Sequence, residues 1–157
     1  ISTLGRGMSV MKLTVELVPK SSWYNNVRSN VTKQQWEIIK KDTNAKAKYR
    51  CEICGGRGPK WPVECHEVWS YEDHLHIQRL ERMIALCPSC HQVKHVGFAQ
   101  LQGKVAEAIA HFMHINEMKH NDALIYIREQ FNIWQERSRY KWKLNLKYLQ
   151  KYMITGG

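Results

Sequence analysis

Two cysteine pairs with the same spacing are the residues of this sequence best suited to metal chemistry. Two residues separate the members of each pair, and the four positions are Cys51, Cys54, Cys87 and Cys90. This spacing lets two thiolates converge on one tetrahedral ion, and two such pairs complete a site with four sulfur ligands. A redox-active pair is the alternative, but it would leave the second pair without a role. The sequence therefore predicts a structural Zn²⁺ at these four cysteines.

Histidines accompany the second cysteine pair. His91 follows the pair directly, and His95 lies four residues later. Residues four apart share one face of a helix, so these two imidazoles can bind the same ion. A third histidine, His66, stands in the segment Glu64-Cys65-His66-Glu67, which has the character of a short strand. His91 and His95 are therefore candidates for a second metal site.

The remaining cysteine and histidines have no comparable spacing. Cys65 is expected to be a small residue of the core. The other histidines are expected to be solvated or to pack against neighbours: His74, His76, His111, His114 and His120.

The segments that contain the two candidate sites resemble the HNH endonuclease family in its zinc-containing form. The matching text is Cys-Glu-Ile-Cys-Gly-Gly-Arg-Gly (51–58), Glu-Cys-His-Glu-Val-Trp (64–69) and Leu-Cys-Pro-Ser-Cys-His-Gln-Val-Lys-His (86–95). The resemblance implies a ββα-metal finger, in which two short strands and a helix surround one divalent ion above the four-cysteine zinc. In this family a histidine of the first strand activates water and the ion stabilises the transition state, so that a phosphodiester bond is hydrolysed.

The resemblance also implies roles for the residues of the second site, with one choice left open. The two helical histidines would bind the catalytic cation, which would be Mg²⁺, Mn²⁺, Ni²⁺ or Zn²⁺. If His66 takes the second of the family's two first-strand positions, it is the general base and Cys65 replaces a ligand. If Glu64 sets the register, His66 is a ligand and Glu67 takes the position of the base, where its low reference pKa makes it weaker. His66 and Glu67 are the predicted catalytic residues.

One family position differs in a way that bears on the substrate. Where the family carries a middle asparagine, this sequence has Arg82. Arginine does not ligate a cation, but its guanidinium can contact a phosphate. The predicted nucleic-acid contacts are Arg82, Lys94, Lys40 and Lys41.

The substitutions at Glu67 and Arg82 define the alternative function. A finger that has lost its catalytic residues would bind nucleic acid or a protein partner without cleaving it. Such a module would act alone or as a subunit of a larger complex or oligomer, where the aromatic residues would serve an interface.

The charge distribution favours an anionic partner. The 157 residues include 24 Lys and Arg against 14 Asp and Glu, a formal net charge of +10. Residues 1–60 carry 12 basic and 4 acidic side chains, residues 61–90 carry 2 and 5, and residues 91–157 carry 10 and 5. An acidic centre that binds cations between two basic flanks is the arrangement expected of a protein that holds phosphates. DNA is the predicted partner, RNA is the other nucleic acid that fits, and the short apolar runs rule out a membrane span.

Hydrophobic periodicity predicts the elements around the two sites. Residues 11–18 alternate as a half-buried strand does, and Thr32 with Gln35 has the spacing of a capping box at the start of a lysine-rich helix, Lys33–Lys48. Two short strands and a short helix ended by Gly97 surround the cysteine pairs. Their predicted bounds are Val63–Trp69, Arg82–Leu86 and His91–Val96.

The C-terminal part of the sequence predicts two more helices and a strand. Amphipathic stretches cover Leu101–Met118 and the residues from the candidate cap Asn121 to Tyr140, and residues 142–148 alternate. The strands at the two ends of the chain could pair with each other.

The predicted fold class is therefore α+β, a zinc-stapled finger flanked by amphipathic helices and terminal strands. The finger covers residues 51–97, the N-terminal strand and basic helix cover residues 8–50, and the helical C-terminal extension covers residues 98–157. Residues 1–7 are interpreted as a remnant of an expression vector, and the lack of a signal-peptide pattern predicts a cytoplasmic, reducing compartment.

Overall fold

The computed structural model describes residues 11–57 and 63–153. The interpretation of residues 1–7 and the end of the first matching segment, residue 58, lie outside the described residues. The described part is a mixed α+β structure with a three-stranded sheet and six α-helices. The strands are β1 (Glu64–Glu72), β2 (Ile77–Leu86) and β3 (Lys143–Asn145). The helices are α1 (Lys33–Lys46), α2 (Pro88–Lys94), α3 (Val96–Leu101), α4 (Val105–Asn116), α5 (His120–Arg137) and α6 (Gln150–Met153).

An antiparallel hairpin of β1 and β2 forms the centre of the sheet. The hairpin pairs Glu64 with Leu86 at one end and Glu72 with Ile77 at the other, with one irregularity after Val68. Both strands are longer than predicted, because pairing continues to the tight turn at residues 73–76, where His76 has a positive φ of 54°. The hairpin leads directly into α2, so the start of β1 and the second cysteine pair lie at the same end of the sheet.

The two ends of the chain do not pair with each other among the described residues. β3 lies parallel to the start of β2, so the sheet order is β1-β2-β3. Residues 11–18 have no strand partner within the described ranges, although Leu13 and Val15 are buried as the alternation predicts. The prediction of a strand is wrong because side chains supply the hydrogen bonds: the Asn116 amide pairs with the backbone of Leu13, and the Tyr126 hydroxyl accepts from Val15 N–H.

Helix α1 begins as the sequence predicts. The Thr32 side chain accepts from the Gln35 backbone, and the Gln35 side chain accepts from the Thr32 backbone, which completes the capping box. The helix ends two residues early because Lys48 and Tyr49 adopt positive φ angles of 57° and 59°. Its inner face buries Ile39 and packs on the hairpin, in a core separate from the one that surrounds the cysteines.

Helix α2 differs from its prediction at both ends. It begins at Pro88, with Cys87 as the N-cap whose Sγ accepts from Cys90 N–H. It ends at Lys94, and the chain turns at His95 before α3, so Gly97 lies inside a helix and does not end one.

The predicted helix Leu101–Met118 is likewise divided, because Gly103 has a positive φ of 73° and only Val105–Asn116 is helical beyond it. The next helix, α5, has Lys119 at its N-cap position, so Asn121 lies inside it and is not the cap. Among residues 11–57 and 63–153, none of the helices combines the length and the apolar character needed to cross a membrane.

Candidate metal centre and active site

The four predicted cysteine ligands lie together in the structure. One ligand atom from each of Cys51, Cys54, Cys87 and Cys90 lies within 4.8 Å of the others, an arrangement that could hold a metal ion. The Sγ atoms of Cys54 and Cys87 are 3.6 Å apart. With Zn–S bonds of about 2.3 Å, that separation subtends about 103° at a shared ion, close to the tetrahedral angle. The cluster is therefore consistent with a structural zinc.

Local backbone geometry aims these thiols inward. The N–H groups of Ile53 and Cys54 donate to Cys51 Sγ, and Gly56 N–H donates to Cys54 Sγ. The turn between them needs Gly55, whose φ of +77° is strained for other residues. Glu52 N–H donates to the Ala85 carbonyl, which fixes this first cysteine segment against β2.

The electrostatics of the cluster also favour a cation. A hydrogen bond from the Cys90 thiol lowers the pKa of Cys51 to about 4. That hydrogen bond, burial and the Cys51 charge raise the pKa of Cys90 far above its ordinary value. Thiolates at this spacing repel one another, so four of them require a cation to neutralise them.

His111 is a residue of the cysteine cluster that sequence reasoning missed. It extends from α4, and its Nε2 lies 3.2 Å from Cys90 Sγ. A metal-bound thiolate carries no proton, so His111 would donate this hydrogen bond when Cys90 binds an ion. The sequence carries no signal for this contact, because 21 residues and a helix break separate the two residues.

The three histidines His66, His91 and His95 form a second cluster. One ring nitrogen of each lies within 4.8 Å of the others, and the ring centroids are between 4.8 and 5.2 Å apart. The Nε2 atoms of His91 and His95 are 3.1 Å apart. With metal–nitrogen bonds of about 2.1 Å, two ligands at that separation subtend about 95° at one ion. The arrangement can therefore hold a metal ion, with β1 and α2 as its scaffold.

Carboxylates orient two of these rings. Glu64 Oε1 lies 2.8 Å from His91 Nδ1 and accepts a hydrogen bond from it, which leaves the lone pair of His91 on Nε2, toward His95. Glu16 Oε1 lies 3.1 Å from His66 Nε2. A carboxylate that hydrogen-bonds one ring nitrogen fixes the tautomer of a metal-binding histidine.

The imidazoles of His91 in α2 and of His95 just after it are disposed to be neutral. Burial lowers the pKa of His91, more than its bond to Glu64 raises it. Desolvation and the two neighbouring imidazoles lower the pKa of His95 to about 4, although the residue as a whole is exposed. Neutral imidazole is the form that binds metal ions.

Glu16 is a second residue that the sequence does not single out. Its other oxygen, Oε2, lies 2.9 Å from Lys94 Nζ, and this ammonium also donates to Thr14 Oγ1 at 2.7 Å. Burial by itself would raise the pKa of Glu16, but the hydrogen bond from His66 and the charge of Lys94 outweigh it, so the pKa is lowered. Lys94 is only 4% exposed. The structure therefore places this predicted phosphate contact in a buried ion pair and away from the surface.

Glu67 does not join the histidine cluster. Successive residues of a strand point to opposite faces, and Glu67 follows His66. Its Oε2 accepts from Val27 N–H at 2.7 Å and its Oε1 accepts from the Trp69 indole at 3.2 Å. Burial, as the largest cause, raises the pKa of Glu67. Cys65 packs on the same core as Trp69, and burial raises the pKa of its thiol to about 11.

The other predicted nucleic-acid contacts lie at the surface. Arg82 pairs with Glu52 at 3.0 Å, and Lys40 pairs with Glu37 at 3.0 Å. Lys41 is exposed. A surface groove of about 700 Å³ passes both lysines, Arg28 and Glu64 and reaches His91; we call it the basic groove. The groove thus connects the lysine face of α1 with the histidine cluster.

Comparison of the chain with models of protein families, with curated proteins and with solved structures gives no match.

Proposed function

We propose that the protein is a metal-dependent endonuclease of the HNH type that hydrolyses phosphodiester bonds in DNA. The observation that carries the proposal is the convergence of His66, His91 and His95 on one point, next to the four-cysteine cluster. Two antiparallel strands followed by a helix carry His66 and His91, and His95 follows the helix directly, which supports the proposal of a ββα-metal finger. Four cysteines would hold a structural Zn²⁺, and the three histidines would face a second divalent cation.

The protein's own groups have distinct tasks in this proposal. Glu16 is ionised at neutral pH and can only accept, so His66 donates through Nε2 and keeps its lone pair on Nδ1. That lone pair can take a proton from water or serve as a third ligand, whereas the Nε2 atoms of His91 and His95 face each other as ligands. The second cation would supply charge stabilisation at the scissile phosphate.

The basic groove supports a polyanionic substrate. Arg28 and Lys41 are exposed and have no ion-pair partner among the described residues. Cations in a groove beside a metal site bind phosphates, and the release of counterions favours this binding, so binding weakens as the salt concentration increases. A phosphodiester held there would lie against His91.

A plasmid-nicking assay tests the proposal. Supercoiled DNA is incubated with zinc-loaded protein and added Mg²⁺, Mn²⁺, Ni²⁺ or Zn²⁺. We expect His66→Ala and His91→Ala each to lower the nicking rate by at least about 100-fold, as loss of a catalytic base or of a metal ligand does. His120→Ala is the matched control, because His120 is exposed at the start of α5. Nicking that survives His66→Ala and His91→Ala combined would exclude the mechanism.

A second function, binding without cleavage, is favoured by the positions of two residues. Glu67 is not part of the histidine cluster and accepts from Val27 N–H, and the guanidinium of Arg82 is engaged by Glu52. A finger of this kind would bind DNA in a salt-dependent manner and would show no nicking with any of the four metals. The same assay, combined with binding measured at two salt concentrations, separates the two functions.

A further inference from the structure

A cavity of about 580 Å³ opens beside the histidine cluster, on the side of His95. We call it the aromatic cavity because five aromatic side chains line it: Trp23, Trp69, Phe98, Phe131 and Trp134. His95 and Glu16 line it as well. The cavity therefore adjoins the same histidines that the basic groove reaches from the side of His91.

Part of the cavity wall is apolar surface exposed to solvent. Trp23 is 51% exposed, Phe98 is 60% exposed and Leu101 is 81% exposed, and all three line the cavity. Trp23 and Trp134 stack with their ring centroids 6.4 Å apart, and both indoles donate to the Val18 carbonyl. These bonds hold two flat surfaces in place without any ligand. Exposed apolar groups that cluster in this way are typical of a binding site.

The polar groups of the cavity indicate a neutral ligand. The carboxylate of Glu16 is matched by Lys94 and His66, and that of Glu67 by two N–H donors. Neither carboxylate is therefore free to form an ion pair with an organic cation bound in the cavity. In contrast, Gln78 belongs to the cavity wall and is fully buried, and neither its side-chain nitrogen nor its side-chain oxygen has a hydrogen-bond partner among the described residues. A flat ligand whose edge offers a donor and an acceptor would satisfy both atoms once the Gln78 side chain turns toward the cavity.

We propose that the aromatic cavity receives an unpaired nucleobase, so that the substrate is single-stranded or locally unpaired nucleic acid. This inference rests on the proposed function, because it takes the substrate to be nucleic acid. The phosphates on one side of the scissile bond would follow the basic groove, and a base on the other side would enter the cavity. The bases of an intact duplex are stacked and paired, so they cannot offer their faces to aromatic side chains.

A binding assay with the zinc-loaded full chain tests the inference without any cleavage. The probe is a short DNA strand that contains 2-aminopurine, compared with the same strand in a duplex and with the corresponding RNA strand. We expect the single strands to bind at least about 10-fold more tightly than the duplex, with quenched 2-aminopurine fluorescence as the base stacks. Phe98→Ala should weaken single-strand binding by about 10-fold. Tyr24→Ala is the matched control, because Tyr24 is 83% exposed beside Trp23 and does not line the cavity.

Gln78→Leu separates a binding role from a structural one. Replacement of an unpaired buried amide by an apolar group should leave the melting temperature unchanged or raise it. The inference nevertheless expects weaker binding of the single strand, by about 10-fold. Unchanged binding of the single strand together with a higher melting temperature would show that the Gln78 amide does not contact the ligand. That result would overturn the proposed hydrogen bonds between Gln78 and the base.

The outcomes distinguish this inference from the proposed function. If single strands bind in a Phe98-dependent manner but no metal supports cleavage of either the plasmid or the single strand, the cavity is a base-binding site and the nuclease is excluded. If duplex plasmid is nicked through His66 and Phe98→Ala behaves like Tyr24→Ala, the nuclease stands and the inference is overturned. Equal affinity for single strands and duplex would overturn it as well.

Discussion

The cysteine cluster and the histidine cluster lie close together but are built in different ways. Each cysteine pair is positioned by its own short segment, through N–H···S bonds that span two or three residues. The histidines take their orientation from outside the finger as well, since Glu16 lies 50 residues before His66. Local spacing in the sequence can therefore reveal a set of ligands, whereas the groups that orient those ligands can lie in distant parts of the chain.

The largest expected effect comes from removal of a cysteine. We expect Cys90→Ala to abolish stoichiometric zinc binding and to lower stability severely, because a structural zinc can contribute on the order of 10 kcal/mol to folding. Zinc content and thermal unfolding measure the change. Cys65→Ala is the control, since Cys65 lies outside the cluster, and it should keep the zinc. A Cys90→Ala protein with full zinc content would contradict the four-cysteine site.

The ion pair between Lys94 and Glu16, which orients His66, can be removed without a change to any histidine. Lys94→Met leaves the Glu16 carboxylate without its cation, and we expect it to cost about 3 kcal/mol of unfolding free energy, as loss of one partner of a buried pair does. Denaturant unfolding of the zinc-loaded protein measures the cost. The double variant Glu16→Gln with Lys94→Met should recover a large part of it. If the single variant is as stable as the parent, the ion pair does not support the site.

His111 tests the outer hydrogen bond of the cysteine cluster. His111→Ala should speed the release of zinc to a chelator by about 10-fold, because loss of a hydrogen bond to a metal ligand lowers metal affinity. The charge-transfer bands of the Co²⁺-substituted protein should also shift as the thiolate loses its donor. His114→Ala, an exposed position on the same helix, should leave both unchanged. Equal release rates for the two variants would remove His111 from the site.

The smallest effect is expected at Glu64, the partner of His91. Glu64→Gln keeps the size of the side chain but weakens the bond to Nδ1, and Glu64 is 44% exposed, so water compensates for part of the loss. We expect Mn²⁺ binding at the histidine cluster to weaken by less than about 10-fold, with zinc content unchanged. Titration followed by electron paramagnetic resonance measures it, with Glu72→Gln at the exposed end of β1 as control. A loss of zinc in Glu64→Gln would show that the two clusters are not separate.

Parts of the fold were predictable where one segment determines its own geometry. The capping box of Thr32 and Gln35 starts α1 as expected, and the four cysteines converge as their spacing predicts. The alternation of residues 11–18 predicts the burial of Leu13 and Val15 but not their hydrogen-bond partners. Burial follows from the repeat of apolar residues along the sequence, whereas no sequence repeat identifies a hydrogen-bond partner. The prediction that Gly97 ends a helix is wrong, because glycine can occupy a position inside a helix as well as the position just after one.

The sequence by itself determined the ligand types, their spacing and the basic flanks, since these depend on covalent order and on side-chain chemistry. Only the tertiary structure decided that Lys94 is buried against Glu16, that His111 reaches Cys90 and that Glu67 accepts from Val27 and stays outside the histidine cluster. It also decided that β3 pairs with β2 and that aromatic residues from four distant segments line one cavity. The physical reason is that these contacts join residues far apart in the chain, and they arise only when the packing of the whole core brings their segments together.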